Sequence, residues 1–253
     1  MSEDRARARS FYDADRPAAW GRGEMSEERR RVTEWLERLD ARGPTLELGC
    51  GAGALAGVGE DYVALDLALT PLRRIGGRAV LADMEALPFR EGSVGSVFTW
   101  AAMEHVPHPE RVLAEVARVL RGAGVAIFAP AWHCRPWAAE GLEFRPYSAL
   151  RTTQKIRKAL IPLRNAIWWR AIFEVPRRIS RELRGRSRAM PFEYDRLSPN
   201  LDEYVGTDSD AFTSMDPQAV AIWFASRGWD VVSHRTMRER MLARHEAVVA
   251  RKR

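Results

Sequence analysis

Cysteine is scarce in this chain, with only Cys50 and Cys134 among 253 residues. Two residues that far apart give neither metal-site spacing nor a disulfide framework, so a reducing compartment is expected and no metal is. Long apolar runs are also missing. The nearest, Ala159 to Pro176, is interrupted by Arg164, Arg170 and Glu174, which excludes a simple membrane span. The opening M-S-E-D-R-A-R-A-R-S lacks the apolar core of a signal peptide, so the whole chain is expected in the mature protein, in the cytoplasm. Internal repeats and low-complexity tracts are absent. Acidic residues are short in one place: from Arg151 to Met190 twelve Lys or Arg face only Glu174 and Glu182, so a chain of net charge +6 concentrates its positive charge in that segment.

What is present fits one large α/β core. Short apolar runs at Thr45 to Leu48, Tyr62 to Leu65, Ala79 to Leu81, Val94 to Trp100 and Gly124 to Ala129 read as buried parallel strands. Trp229 to His234 and Glu246 to Ala250 add two more. Helices are expected from Ser26, as N-cap, to near Gly43, from Thr70 to Gly76, from Pro109 to Gly122, and from Pro217 to Gly228. Only eight residues separate Gly53 from Tyr62, so the first crossover has room for one or two turns around Ala54 to Gly59. Pro130 to Met215 is too long for a connection and reads as an insertion.

The first strand runs into T-L-E-L-G-C-G-A-G, where Gly49, Gly51 and Gly53 let the backbone pack directly against a ligand with its amides turned inward. The next run ends at Asp66, where a carboxylate at a strand's carboxyl end commonly accepts ribose hydroxyls. A shifted frame, Gly51 to Ala56, also satisfies the dinucleotide fingerprint G-x-G-x-x-A, which keeps a nicotinamide-dependent oxidoreductase among the alternatives. That fingerprint calls for a substantial helix after the glycines and leaves Asp83-Met84 without a role.

Glu47, the glycine loop, Asp66 and Asp83-Met84 together resemble class I S-adenosylmethionine-dependent methyltransferases, of the small-molecule branch called type 11. The resemblance covers residues 41 to 132 and returns near 216 to 252. It implies a doubly wound, seven-stranded, mostly parallel Rossmann-like sheet whose final strand runs antiparallel, with a helical cap inserted after strand five. The domain plan is then 1–43 arm and helix, 44–132 cofactor-binding core, 133–215 substrate-side cap and 216–253 the rest of the core. The implied cofactor is S-adenosyl-L-methionine. Gly49, Cys50, Gly51 and Gly53 would pack on its methionine part, Glu47 would fix the amino group, and Asp66 with Leu67 would hold the ribose. Asp83 would accept the adenine amine, with Met84 against the ring and Leu87, Pro88 and Phe89 continuing the wall. Trp100 would line the space around the methyl group, and Tyr12, with Phe11 and Trp20 in a polar leading arm, would close over the cofactor.

Two histidines are candidate general bases: His105, in A-A-M-E-H-V after strand four, and His133, after strand five. A turn-fixing role is open for His105. Cys50 reads as a small residue that fits rather than a nucleophile. Thr207-Asp208-Ser209-Asp210 reads as a capping cluster or as part of a closing loop.

The basic stretch 151–190 interleaves Lys and Arg with Ile, Leu and Trp. Three readings stand for it: a solvated face of the cap, a segment that approaches anionic lipid at the inner membrane face, or a nucleic-acid surface, the last without any accompanying RNA-binding module. The expected function is methyl transfer to oxygen or nitrogen of a small-molecule or lipid-linked acceptor. A protein that binds the cofactor without catalysis is the alternative from another class.

Overall fold

A computed structural model describes residues 3–14, 25–165, 167–202, 206 and 208–253. Trp20 and Thr207 lie outside the described residues, as do the side chains of Trp169 and Arg170. The strands are β1 (Thr45–Leu48), β2 (Val63–Asp66), β3 (Ala79–Leu81), β4 (Val94–Trp100), β5 (Leu120–Ala129), β6 (Asp195–Arg196), β7 (Thr213–Ser214), β8 (Asp230–Val231) and β9 (Val248–Arg251). The helices are α1 (Glu3–Asp13), α2 (Ser26–Arg38), α3 (Leu69–Leu72), α4 (Pro109–Val119), α5 (Pro136–Ala139), α6 (Thr152–Ala159), α7 (Ile161–Asn165), α8 (Ile167–Gly185), α9 (Pro217–Ala225) and α10 (Met237–Leu242).

Seven strands form one sheet in the order β3-β2-β1-β4-β5-β9-β8. The first five pair in parallel, and β9 runs antiparallel to both β5 and β8. This is the expected doubly wound sheet. The order reverses between β1 and β4, and a crevice at the carboxyl ends of those strands is where such sheets take ligands. On one face, Val112, Leu113 and Val116 of α4 and Val220 and Phe224 of α9 close the core against Leu46, Leu48 and Phe128. On the other, Val32 and Leu36 of α2 pack over Phe98, Val125 and Ile127. The central strands β1, β4 and β5 are therefore covered on both sides, which is why they read as short continuous apolar runs.

Several boundaries differ from the sequence reading. Met25, not Ser26, is the N-cap of α2, and no side chain caps it. Helix α4 stops at Val119, because β5 starts at once with Leu120, before Gly122 and Gly124. The first crossover, 51–57, is a series of turns without a helix. The leading arm carries a helix: α1 has Glu3 and Asp4 in its first turn and buries Ala8 and Phe11 with Leu201 and Phe212.

The insertion contains α5 to α8 and the small β6–β7 ladder. Helix α8 ties it to the core through buried polar groups. Arg178 donates two hydrogen bonds of 2.9 Å to Asp216, the residue whose carboxylate also caps α9. Arg181 donates to Gln218 Oε1 at 2.8 Å, and Glu182 accepts from Arg240 at 2.8 and 3.0 Å.

Candidate functional site

The turn after β1 carries the geometry that its glycines require. Gly49 has φ +73°, and a Cβ there would lie 2.4 Å from the Ala102 Cβ, so both the backbone and the space demand glycine. Gly51 has φ +49°, and its amide donates to the Asp66 carboxylate at 3.0 Å. Above this turn lies a cavity of about 120 Å³ whose lining includes Glu47, Gly49, Cys50, Gly51, Asp66, Leu67, Met84, Trp100 and His105. Its roof is α1, which contributes Arg5 and Tyr12.

Two acids in this wall are held at a cost. Burial pushes the Glu47 carboxyl up to about 7, against a lowering by its hydrogen bond from the Tyr62 hydroxyl. Burial also raises Asp66, although the amides of Gly51 and Ala68 donate to it at 3.0 Å each and pull the other way. Neither forms an ion pair among the described residues. Desolvated carboxylates of this kind favour a ligand that brings its own donors or positive charge.

Gly53 and Asp83 do not line the cavity. Gly53 packs instead toward Ile75. The Asp83 carboxylate is taken by Arg5 of α1, in a two-point pair, and by the Glu85 amide. Arg5 thus stands in the wall where the sequence reading put Asp83. A partner 78 positions away left no local signal for that. Asp13, at the end of α1, accepts from the amides of Leu69 and Thr70 at 2.6 and 3.1 Å and so fastens the roof to α3.

His105 sits in the same cavity and is half-buried, its side chain 20% exposed. Its Nδ1 lies 3.3 Å from the Asp210 carbonyl, which can only accept, so that nitrogen carries the proton. Its Nε2 lies 3.6 Å from Glu104 Oε1. Burial lowers the imidazole pKa, but the Asp210, Glu104 and Asp208 carboxylates outweigh it and the net direction is up. Burial holds Glu104 up as well, and its Oε2 has no hydrogen-bond partner among the described residues. The Tyr12 hydroxyl donates to Asp210 at 2.6 Å, and its ring meets the His105 ring edge-on at 5.8 Å. Tyr12, Asp210, His105 and Glu104 therefore form one connected polar group under the roof. Sequence reading had found Tyr12 and His105 but had not joined them.

His133 is elsewhere. It lines a second cavity, of about 740 Å³, together with Trp132, Trp137, Arg177, Arg181 and Asp208. The two histidines are not brought together: His105 lines the smaller cavity and His133 the larger, whose lining also includes Asp208, a carboxylate that helps raise the His105 imidazole pKa. Burial raises the thiols of Cys50 and Cys134 far above the ordinary range, which leaves both unreactive as nucleophiles. Among the described residues no cluster of His, Cys, Asp or Glu could hold a metal ion, and no helix is long and apolar enough to cross a membrane.

Residues 46–128 match the family model described as a methyltransferase domain. The chain is 35% identical over 91 residues to an uncharacterized methyltransferase of Mycobacterium sp. strain KMS, covering 32% of this chain and 36% of that protein. It is 26% identical over 212 residues to a demethylmenaquinone methyltransferase of Renibacterium salmoninarum, covering 80% of this chain and 73% of that protein. A malonyl-[acyl-carrier protein] O-methyltransferase of Laribacter hongkongensis is 36% identical over 109 residues, 36% of each chain.

Proposed function

We propose that this chain, which belongs to the class I S-adenosylmethionine-dependent methyltransferase superfamily, binds S-adenosyl-L-methionine over the turn after β1 and methylates a small acceptor at oxygen or nitrogen. The observation that carries the reading is the pair of desolvated carboxylates, Glu47 and Asp66, in the wall of one cavity beside a backbone turn that only glycine can form. The residues fit that cofactor. Its ammonium and ribose hydroxyls would add a positive charge and further donors to acids that have only the Tyr62 hydroxyl and the Gly51 and Ala68 amides, and Leu67 and Met84 offer apolar surface to a purine. The turns that replace a helix at 51–57 fit a ligand without a pyrophosphate better than a dinucleotide.

When bound, S-adenosyl-L-methionine supplies an electrophilic methyl on sulfur with a neutral leaving group. Alignment and exclusion of water are then the main tasks of the protein, and together they are worth up to about 7–11 kcal/mol when the geometry is right. Helix α1 lies over the cavity through Arg5 and Tyr12 and would shield the reacting centre from solvent. His105, whose Nδ1 contacts the Asp210 carbonyl and whose Nε2 faces Glu104, is the candidate base for a proton lost by an alcohol, phenol or ammonium acceptor. Residues 133–215 form the acceptor side, with the larger cavity as the entry chamber. The names borne by the quinone and acyl-carrier relatives favour an acceptor that is small or carried on a lipid-like or carrier group.

Methyl-labelled cofactor incubated with the protein and extracted small molecules and lipids tests this reading. Label is expected in an organic-soluble product, lost in Asp66→Ala and strongly reduced in His105→Gln. Cofactor uptake without any label transfer would favour a non-catalytic binding protein, and thermal stabilisation by a nicotinamide dinucleotide alone would favour an oxidoreductase.

A further inference from the structure

Helix α8 is turned the unusual way round. Its charged residues Arg178, Arg181 and Glu182 are the buried ones, while Ile172, Val175, Ile179 and Leu183, spaced by three and four residues along one stripe, are 59%, 44%, 41% and 57% exposed. The preceding helices add exposed Ile156 and Leu163, at 57% and 44%. A helix of a soluble domain ordinarily buries such a stripe. Here the core side is already filled by the pairs to Asp216, Gln218 and Arg240, so no apolar seat on the core remains for it.

The charges around the stripe say what covers it. Arg157, Arg177, Arg178, Arg181 and Arg184 are each paired to an acid of this chain. Lys155 and Arg164 at its start and Arg186 and Arg188 at its end remain exposed beside it. A second copy of the chain would bring the same cations against these, with no acidic residue of the stripe to receive them. An anionic bilayer surface offers an apolar interior for the stripe and negative headgroups for the cations.

We infer that the outer face of α6–α8 is a docking surface for an anionic membrane, on which the protein lies with the Ile172–Leu183 stripe in the acyl boundary. This does not depend on the methyl-transfer chemistry, and it places the large cavity, lined in part by Arg164 and Arg177 of the same helices, close to the lipid surface.

Cosedimentation of the full chain with vesicles of phosphatidylcholine alone or with phosphatidylglycerol tests it, beside sedimentation equilibrium without lipid. Binding is expected only with the anionic vesicles and is expected to weaken with salt. The double change Ile179→Glu and Leu183→Glu, at exposed positions away from both cavities, should lower it by tenfold or more, on the order of the loss of one buried aliphatic side chain or greater. Arg186→Gln with Arg188→Gln should cost about fivefold for each cation removed. An unchanged melting temperature in these variants shows that the fold persists. Equal binding to both vesicle types, no binding to either, or self-association abolished by the same substitutions would each overturn the inference, the last in favour of a second copy.

Discussion

Replacing Glu47 by glutamine separates the two demands that the cofactor cavity makes on this carboxylate. In the free protein, burial raises its pKa from 4.5 to about 7, so near neutrality it is partly protonated. A cofactor ammonium beside it stabilises the ionised form and returns the pKa toward its ordinary value. Binding therefore expels a proton below pH 7, and linkage gives an affinity about tenfold weaker at pH 6 than at pH 8, with close to one proton released at pH 6. Calorimetric titration with S-adenosylhomocysteine in buffers of different ionisation enthalpy measures both quantities. Glu47→Gln should bind about 10- to 100-fold more weakly at pH 8, the value of a charge-assisted hydrogen bond, and should show neither the pH slope nor the proton. Stability moves in the opposite sense. A carboxyl whose folded pKa is raised loses stability as pH climbs from its unfolded value through its folded one, here from 4.5 through about 7. The variant without ligand should thus be more stable than the wild type at pH 8, by about 1–3 kcal/mol, and no more stable near pH 4. A wild-type affinity flat from pH 6 to pH 8, or a variant that keeps the slope, would refute the assignment of Glu47 to the ammonium.

Other outcomes follow from the same geometry. Gly49→Ala, which forces a Cβ against Ala102 at φ +73°, should destabilise the fold by about 1–3 kcal/mol in urea titration and abolish ligand uptake. Arg178→Ala strips the half-buried Asp216 of its bidentate partner, leaving Arg181 at 3.3 Å, and should cost about 1.5–3 kcal/mol in the same measurement. Tyr12→Phe removes the hydroxyl that donates to the Asp210 carboxylate, so that charge acts more fully on the imidazole and should move the His105 titration upward, read from its imidazole proton resonances and from the acid limb of the pH–rate profile. Arg5→Ala frees the roof from Asp83, so stopped-flow binding should become faster in both directions while the equilibrium affinity weakens.

The parts of this fold most legible in the sequence were those buried on both faces. Thr45–Leu48 and Val94–Trp100 are short apolar runs because parallel strands between two helical layers expose neither side, and Gly49 marked the turn because its conformation excludes other residues. Helix α1 was not legible. Its E-D-R-A-R-A-R-S-F-Y-D has helix-forming residues and acids in the first turn, but its apolar contacts are few and its fastening to Asp83 and Leu69 is made far along the chain. Propensity and the two leading acids were the signals that could have found it. The polarity of α8 was hidden for a different reason. Periodicity identifies an apolar stripe and a charged one, but which of them turns inward depends on Asp216, Gln218 and Arg240, residues that periodicity does not relate to it. His105 and Tyr12 were individually visible, while their common partner Asp210 came from a cluster read equally well as a helix cap.

Equilibrium dialysis of the intact protein against labelled S-adenosylmethionine, wild type beside Asp66→Ala, bears on all of this at once. One molecule bound per chain is expected for the wild type, with uptake by Asp66→Ala reduced at least tenfold. No saturable uptake by the wild type, or equal uptake by both proteins, would contradict a nucleoside held over the β1 turn.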